Sequence, residues 1–194
     1  MNFLKGVKVN LIGARCGVNG HDWRESVSSE LESFGSNILS SYVKPYIYTP
    51  REYPHTHEHL KKMKDTGYFQ TLSYSSDICG KDHSWVAEHM RAVREHEIDN
   101  VKKCDIVICY LDPDIFTMGA IEELSYASLF KKPIFIIVPG GSANIPFWLL
   151  GMVPHKYILN SFKMLGKTIV DIDNGNISIK EDDYWGLNIQ TLGL

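Results

Sequence analysis

Two apolar runs dominate the pattern of the chain: Asp105-Ile106-Val107-Ile108-Cys109-Tyr110-Leu111 and Ile134-Phe135-Ile136-Ile137-Val138. Both are short and rich in β-branched residues, without polar alternation. That pattern predicts central strands of a parallel sheet covered on both faces. Between them lie the acidic loop Asp112-Pro113-Asp114 and a helix in which Ile121, Leu124 and Ser128 face the sheet, so that Glu122 and Glu123 both point away from the core. In such sheets ligands bind outside the carboxyl ends of the strands. Carboxylates placed there with no Lys or Arg nearby in sequence point to chemistry before stability.

The rest of the pattern fits the same architecture. Val7 to Ile12 predicts the first strand, closing at Gly13, and Asp22 caps a helix from Trp23 to about Phe34 that Gly35 ends. Tyr42 to Tyr48 reads as an edge strand interrupted by Pro45. Residues 49 to 81 are irregular, with a short helix near Glu58 to Lys64, and a stretch of this length marks a lid or a loop. From His83 to Cys104, Trp85, Val86, Met90, Val93, Ile98 and Val101 recur at helical spacing. After Val138 come the loop Pro139-Gly140-Gly141, a short helix from Phe147 to Gly151 and a strand end at Tyr157 to Leu159. Ser161 to Leu165 and Thr168 to Ile172 follow. The turn signal Asp173-Asn174-Gly175-Asn176 then predicts a hairpin of Ile169–Ile172 with Ile177–Ile179. The expectation is one α/β domain over residues 1–194: a Rossmann-like (flavodoxin-like), doubly wound parallel sheet of about five strands with helices on both faces. It carries an irregular insertion at about 49–82 and a C-terminal extension at about 173–194.

Composition narrows the function without choosing it. The 194 residues are 44% hydrophobic and 22% charged, ordinary for a soluble globular protein. A net charge of −3 argues against binding duplex nucleic acid, which needs a basic face. The clusters Lys61, Lys62, Lys64 and Lys102, Lys103 read as solvated helix faces. Cys16, Cys79, Cys104 and Cys109 show neither disulfide nor zinc spacing, which fits a reducing cytosol. No signal-peptide core and no apolar run of bilayer length occurs, so a cytoplasmic protein without a membrane partner is expected. His55-Thr56-His57-Glu58-His59 lacks companion ligands at metal spacing and reads as an exposed His-rich loop. The dinucleotide fingerprint, the P-loop and the Gly-x-Ser-x-Gly elbow are all absent, and no metal or cofactor is expected.

A further series of residues recurs in a characteristic order and spacing. Glu97 precedes Asp105 by eight residues; Gly119-Ala120-Ile121-Glu122-Glu123-Leu124-Ser125-Tyr126-Ala127 and then Lys132-Pro133-Ile134 follow. This series resembles the nucleoside 2-deoxyribosyltransferase-like superfamily over roughly residues 7 to 140. Leu11-Ile12-Gly13-Ala14 is similar to its first strand end, and Trp23-Arg24 to a pair that opens the first helix in some branches. The resemblance implies an enzyme that cleaves or transfers the N-glycosidic bond of a (deoxy)nucleoside or nucleoside monophosphate. A carboxylate beneath the anomeric carbon stabilises or traps the oxocarbenium-like sugar in such chemistry.

Helix geometry alone does not choose between Glu122 and Glu123; the family pattern puts the nucleophile at Glu123. Three positions depart from that pattern: Met118 stands where Asp is usual, Ala120 where Thr or Ser is common, and Ser125 where Gly is usual. Asp112 or Asp114 is therefore expected to reach in from the loop, with Asp112 favoured because it sits at the strand end. Gly13 and Ala14 on the first strand's end, and Met118 and Gly119 on the helix start, complete the expected substrate-binding set with Asp22, Trp23, Arg24 and Glu97. Glu97 reads equally as a base or sugar contact and as an exposed helix residue. Arg24 reads equally as a phosphate ligand, with the alternative that Asp22 caps the helix and Trp23 packs in the core. Missing the usual Asp, the chain could instead be a non-catalytic nucleotide-binding or sensing module. The resemblance also implies a homo-oligomer, with the aromatic-rich insertion or the tail (Tyr184, Trp185) covering the cleft near Glu123.

Overall fold

The structure of the protein is a computed structural model and describes residues 3–13, 23–39, 83–112 and 118–177, with backbone alone at 83–90 and 93. The chain divides into two compact units, Met1–Ser41 with Ile98–Leu194, and Tyr42–Glu97. The first unit holds the sheet. Among the described residues its strands are β1 (Lys8–Gly13), β2 (Asn37–Ile38), β3 (Ile106–Tyr110), β4 (Ile134–Ile137) and β5 (Ile158–Leu159). All neighbours run parallel, in the order β2-β1-β3-β4-β5. The fold is the α/β, doubly wound, Rossmann-like one that the apolar runs predict.

Helices α1 (Trp23–Ser33), α2 (His83–Lys103), α3 (Met118–Leu129), α4 (Phe147–Leu150) and α5 (Phe162–Asp173) fill the connections. The chain leaves β1 toward β2 and leaves β3 toward β4, so right-handed crossovers put α1 and α3 on opposite faces of the sheet. On the α1 face, Val9, Ile106, Ile108 and Phe135 meet Leu31 of α1 and Leu165 and Ile169 of α5. The opposite parity, Val107, Cys109, Ile134 and Ile136, is buried too. Burial on both sides explains why β3 and β4 carry no polar alternation.

The expected hairpin at Ile169–Ile179 is absent: Phe162–Asp173 is an α-helix. Leu165, Ile169 and Ile172 form a buried stripe at helical spacing, and the Ser161 side chain accepts from the Met164 N–H to cap its start. The Asn174-Gly175 signal is real but ends a helix. Gly175 adopts φ +78°, its N–H donates to Ile172 O, and Asn176 N–H donates to Asp171 O. Gly35 ends α1 by the same device, donating to Glu32 O while Ser36 donates to Leu31 O. The strand expected at Tyr42–Tyr48 lies outside the described residues, as do the irregular insertion and the His55–His59 loop. The edge strand that is described, Asn37–Ile38, follows Gly35 after the single residue Ser36.

The carboxyl end of α2 depends on a residue from a distant element. The Lys132 ammonium, at the entrance to β4, donates to Lys102 O at 3.0 Å and Cys104 O at 2.7 Å. A cation on the last carbonyls also opposes the helix dipole favourably. Lys132→Met keeps the apolar stem and removes both hydrogen bonds, and is expected to cost about 1.5 kcal/mol. In thermal unfolding that is a fall in Tm of roughly 5 °C for a chain of this size. An unchanged Tm would show that water replaces the ammonium without loss.

Burial pushes the Cys104 thiol from its ordinary 9.0 up to about 12, and raises Cys109 still further. Both native thiols therefore keep their protons where the unfolded chain begins to lose them. Their contribution to stability is fully present below about pH 9 and falls as pH climbs toward 12. With little thiolate in the native state, iodoacetamide at pH 8.5 is expected to leave Cys104 and Cys109 unmodified in the folded protein and to alkylate both in urea, read by peptide mass.

Candidate active site

The switch point of the sheet lies between β1 and β3, whose connections depart in opposite directions and open a crevice at their carboxyl ends. Gly13 and Tyr110 are register partners there. Gly13 has φ +126°, and a Cβ on it would stand 2.0 Å from Tyr110 O. The glycine is required by the close approach of β3, a reason the sequence reading, which invoked a ligand, did not contain.

Arg24 is 4% exposed on the first turn of α1. Its guanidinium donates to Gly13 O at 2.7 Å and Leu11 O at 3.5 Å, and lies 4.9 Å from the centroid of the Trp23 ring. It thus ties the start of α1 to the end of β1, a role that neither phosphate pairing nor Asp22 capping describes. Trp23 packs against Tyr110 (5.9 Å between centroids) and Phe162 (5.7 Å), and Tyr110 against Phe162 (5.2 Å). These three rings join the first residue of α1, the last of β3 and the first of α5.

Asp112 is half-buried just beyond β3. After burial, its negative charge is the further cause that raises the Tyr110 phenol above its usual range. Glu123 is half-buried in the second turn of α3. Its carboxylate adds to the burial that raises Cys109, while Arg24 opposes it. The Cys109 sulfur thus feels both groups, from the two sides of the sheet. The expectation that Glu123 points well away from the core is corrected accordingly: Ala120, Leu124, Ala127 and Ser128 form the buried stripe, and Glu123 borders it. Glu122 is half-buried as well.

Met118 and Gly119 are exposed at the start of α3, Met118 at 67%. A Cβ on Gly119 would meet no described atom within 4 Å, so packing does not require glycine there. Ser125, where the pattern has Gly, donates from its hydroxyl to Ile121 O at 2.8 Å and is satisfied on its own helix. Glu97 lies in α2 within the second unit and is buried at 7%, which removes the reading of it as an exposed helix residue. Ala14, Asp22 and Asp114 lie outside the described residues. Among the described residues no three His, Cys, Asp or Glu side chains cluster as metal ligands would, and no helix is long and apolar enough to cross a membrane.

The structure therefore brings Gly13, Trp23, Arg24, Asp112 and Glu123 to the carboxyl side of the sheet. Tyr110 and Phe162 are the residues sequence reasoning missed. In sequence Tyr110 reads as one more apolar strand residue, and Phe162 joins it only because α5 is a helix that starts at this end of the sheet.

No protein-family model matches the chain, and no curated protein matches it in sequence. Among solved structures it is similar to a 2-deoxyribosyltransferase from the psychrotolerant bacterium Bacillus psychrosaccharolyticus, with 14% identity over 69% of this chain and 73% of that one and a TM-score of 0.38. It is also similar to a CMP N-glycosidase of Clostridium botulinum, with 13% identity over 85% of this chain and 98% of that one and a TM-score of 0.38.

Proposed function

We propose that the protein is an enzyme acting on the N-glycosidic bond of a (deoxy)nucleoside or nucleoside monophosphate, with Glu123 as the nucleophile. The observation that carries the reading is the position of Glu123. It is half-buried on the helix after β3, its charge reaches the Cys109 sulfur under the switch point, and it occupies the motif position of the family that the sequence resembles. In the first step a Glu123 oxygen bonds to C1′ as the C1′–N bond breaks, and the base leaves with the bonding pair and takes up a proton. In the second, water or another base attacks C1′ and the carboxylate departs, giving a free sugar or a new nucleoside. Asp112 is assigned to the sugar or to the orientation of Glu123. No cofactor enters either step.

The exposed Met118 in the usual Asp position favours the second reading, a non-catalytic nucleotide-binding module on the same fold. One experiment separates the two. The protein is incubated with the four 2′-deoxynucleosides and their 5′-monophosphates, with and without an acceptor base, and products are resolved by chromatography. Free base or an exchanged nucleoside is expected. Binding without either product would favour the module.

A further inference from the structure

Tyr110 combines a locked ring with an uncommitted polar tip. It is 3% exposed, packed against both Trp23 at 5.9 Å and Phe162 at 5.2 Å, and fixed along the strand by its pairing with Gly13. Yet no hydrogen bond from a described residue takes up its hydroxyl, and that oxygen is not among the polar atoms sealed from solvent. A buried tyrosine as a rule places its O–H on a partner. Packed so, the ring keeps the hydroxyl at the carboxyl end of β3, two residues before Asp112, whose charge it feels.

We infer that Tyr110 is a substrate-positioning residue: its hydroxyl donates a hydrogen bond to a sugar hydroxyl whose own proton the Asp112 carboxylate accepts. A phenol and a carboxylate two residues apart at one strand end offer one donor and one acceptor, which matches a hydroxyl, a group that is both. A phosphate at that position would bring only acceptors and a negative charge against Asp112. The pair therefore selects a sugar that is unphosphorylated where the two side chains meet it. Burial, and after it the charge of Asp112, supports this by favouring the protonated, donating form of the phenol. The inference rests on the proposed action on nucleosides, and it names the part of the substrate that β3 reads.

The test uses calorimetric affinity in a Glu123→Gln background, which leaves the ligand intact, together with turnover in the parent chain. Tyr110→Phe keeps the ring, so Tm is expected to be unchanged. Its Kd for 2′-deoxynucleosides is expected to rise about tenfold, the loss of one hydrogen bond. In turnover KM rises alike with kcat within about twofold, as for an interaction present in ground and transition states. The penalty should vanish on whichever analogue, 3′-deoxy or 5′-deoxy, lacks the hydroxyl that Tyr110 holds. A Tyr110→Phe chain with unchanged Kd, or a penalty of equal size on both analogues, overturns the inference and leaves the N-glycosidic reading standing. Nucleosides that bind as described but are never turned over by the parent chain overturn that reading and leave this one. A parent chain that binds no nucleoside overturns both.

Discussion

Glu123→Gln is expected to lower turnover by about four orders of magnitude while leaving the fold intact, in line with the loss of a nucleophile elsewhere. The amide has nearly the shape of the carboxylate but cannot form the ester to C1′ or neutralise an oxocarbenium-like sugar. Folding should be insensitive because Glu123 borders the buried stripe of α3 and does not belong to it. Glu122→Gln is the control on the same helix and is expected to keep most activity. Single-turnover base release for both variants, with circular dichroism to verify folding, decides the matter. Equal losses in the two, or no loss in either, would remove Glu123 from the mechanism.

Gly13→Ala is expected to be the most damaging single methyl in the described chain. The added Cβ would sit 2.0 Å from Tyr110 O, and φ +126° is closed to a residue with a side chain. No flexible group can yield, because the obstacle is the backbone of the paired central strand. β1 and β3 must separate, or Gly13 must change conformation and release the carbonyl that Arg24 holds. A loss of roughly 4 kcal/mol or more follows from overpacking combined with backbone strain. For a chain of this size that lowers Tm by about 10 °C. A Tm within about 2 °C of the parent would mean that this strand pair is looser than its geometry implies.

The elements legible in the sequence were those whose apolar period is unbroken. β1, β3 and β4 stood out because both faces are covered, and α1, α2 and α3 because their stripes are long enough to count. α5 was misread because Asn-Gly serves hairpins and helix ends alike. There the spacing of Leu165, Ile169 and Ile172 was the better guide, and the turn dipeptide outweighed it. β2 was missed because two residues at an edge carry no period at all. In the site, residue types were legible, and the structure adds contacts that the residue types alone do not announce. Gly13 was singled out for a ligand, and the Tyr110 carbonyl, whose oxygen would stand 2.0 Å from any Cβ placed there, gives a reason within the sheet. Arg24 reads equally as a partner for phosphate and as part of a packed helix start, and the structure adds bonds from its guanidinium to the carbonyls of Leu11 and Gly13. Tyr110 was invisible, since within an apolar run a tyrosine counts as one more ring until its neighbours fix where the hydroxyl ends.

The placement of β1 between β2 and β3 also governs the order in which the molecule can be made. Lys8 N–H is met by the carboxylate of Asp105, 97 residues later, and the whole inner edge of β1 pairs with β3 beyond it. A ribosome adding about 5–20 residues each second delivers β3 roughly 5 to 20 s after β1. Through that interval β1 can acquire β2 but not its other neighbour, and it is a nascent strand with an open, apolar edge. Closing so long a loop also slows folding in free solution. Because a slower ribosome lengthens that interval in proportion, slowing elongation at fixed temperature should lower soluble yield more than the stability of the finished sheet alone would suggest.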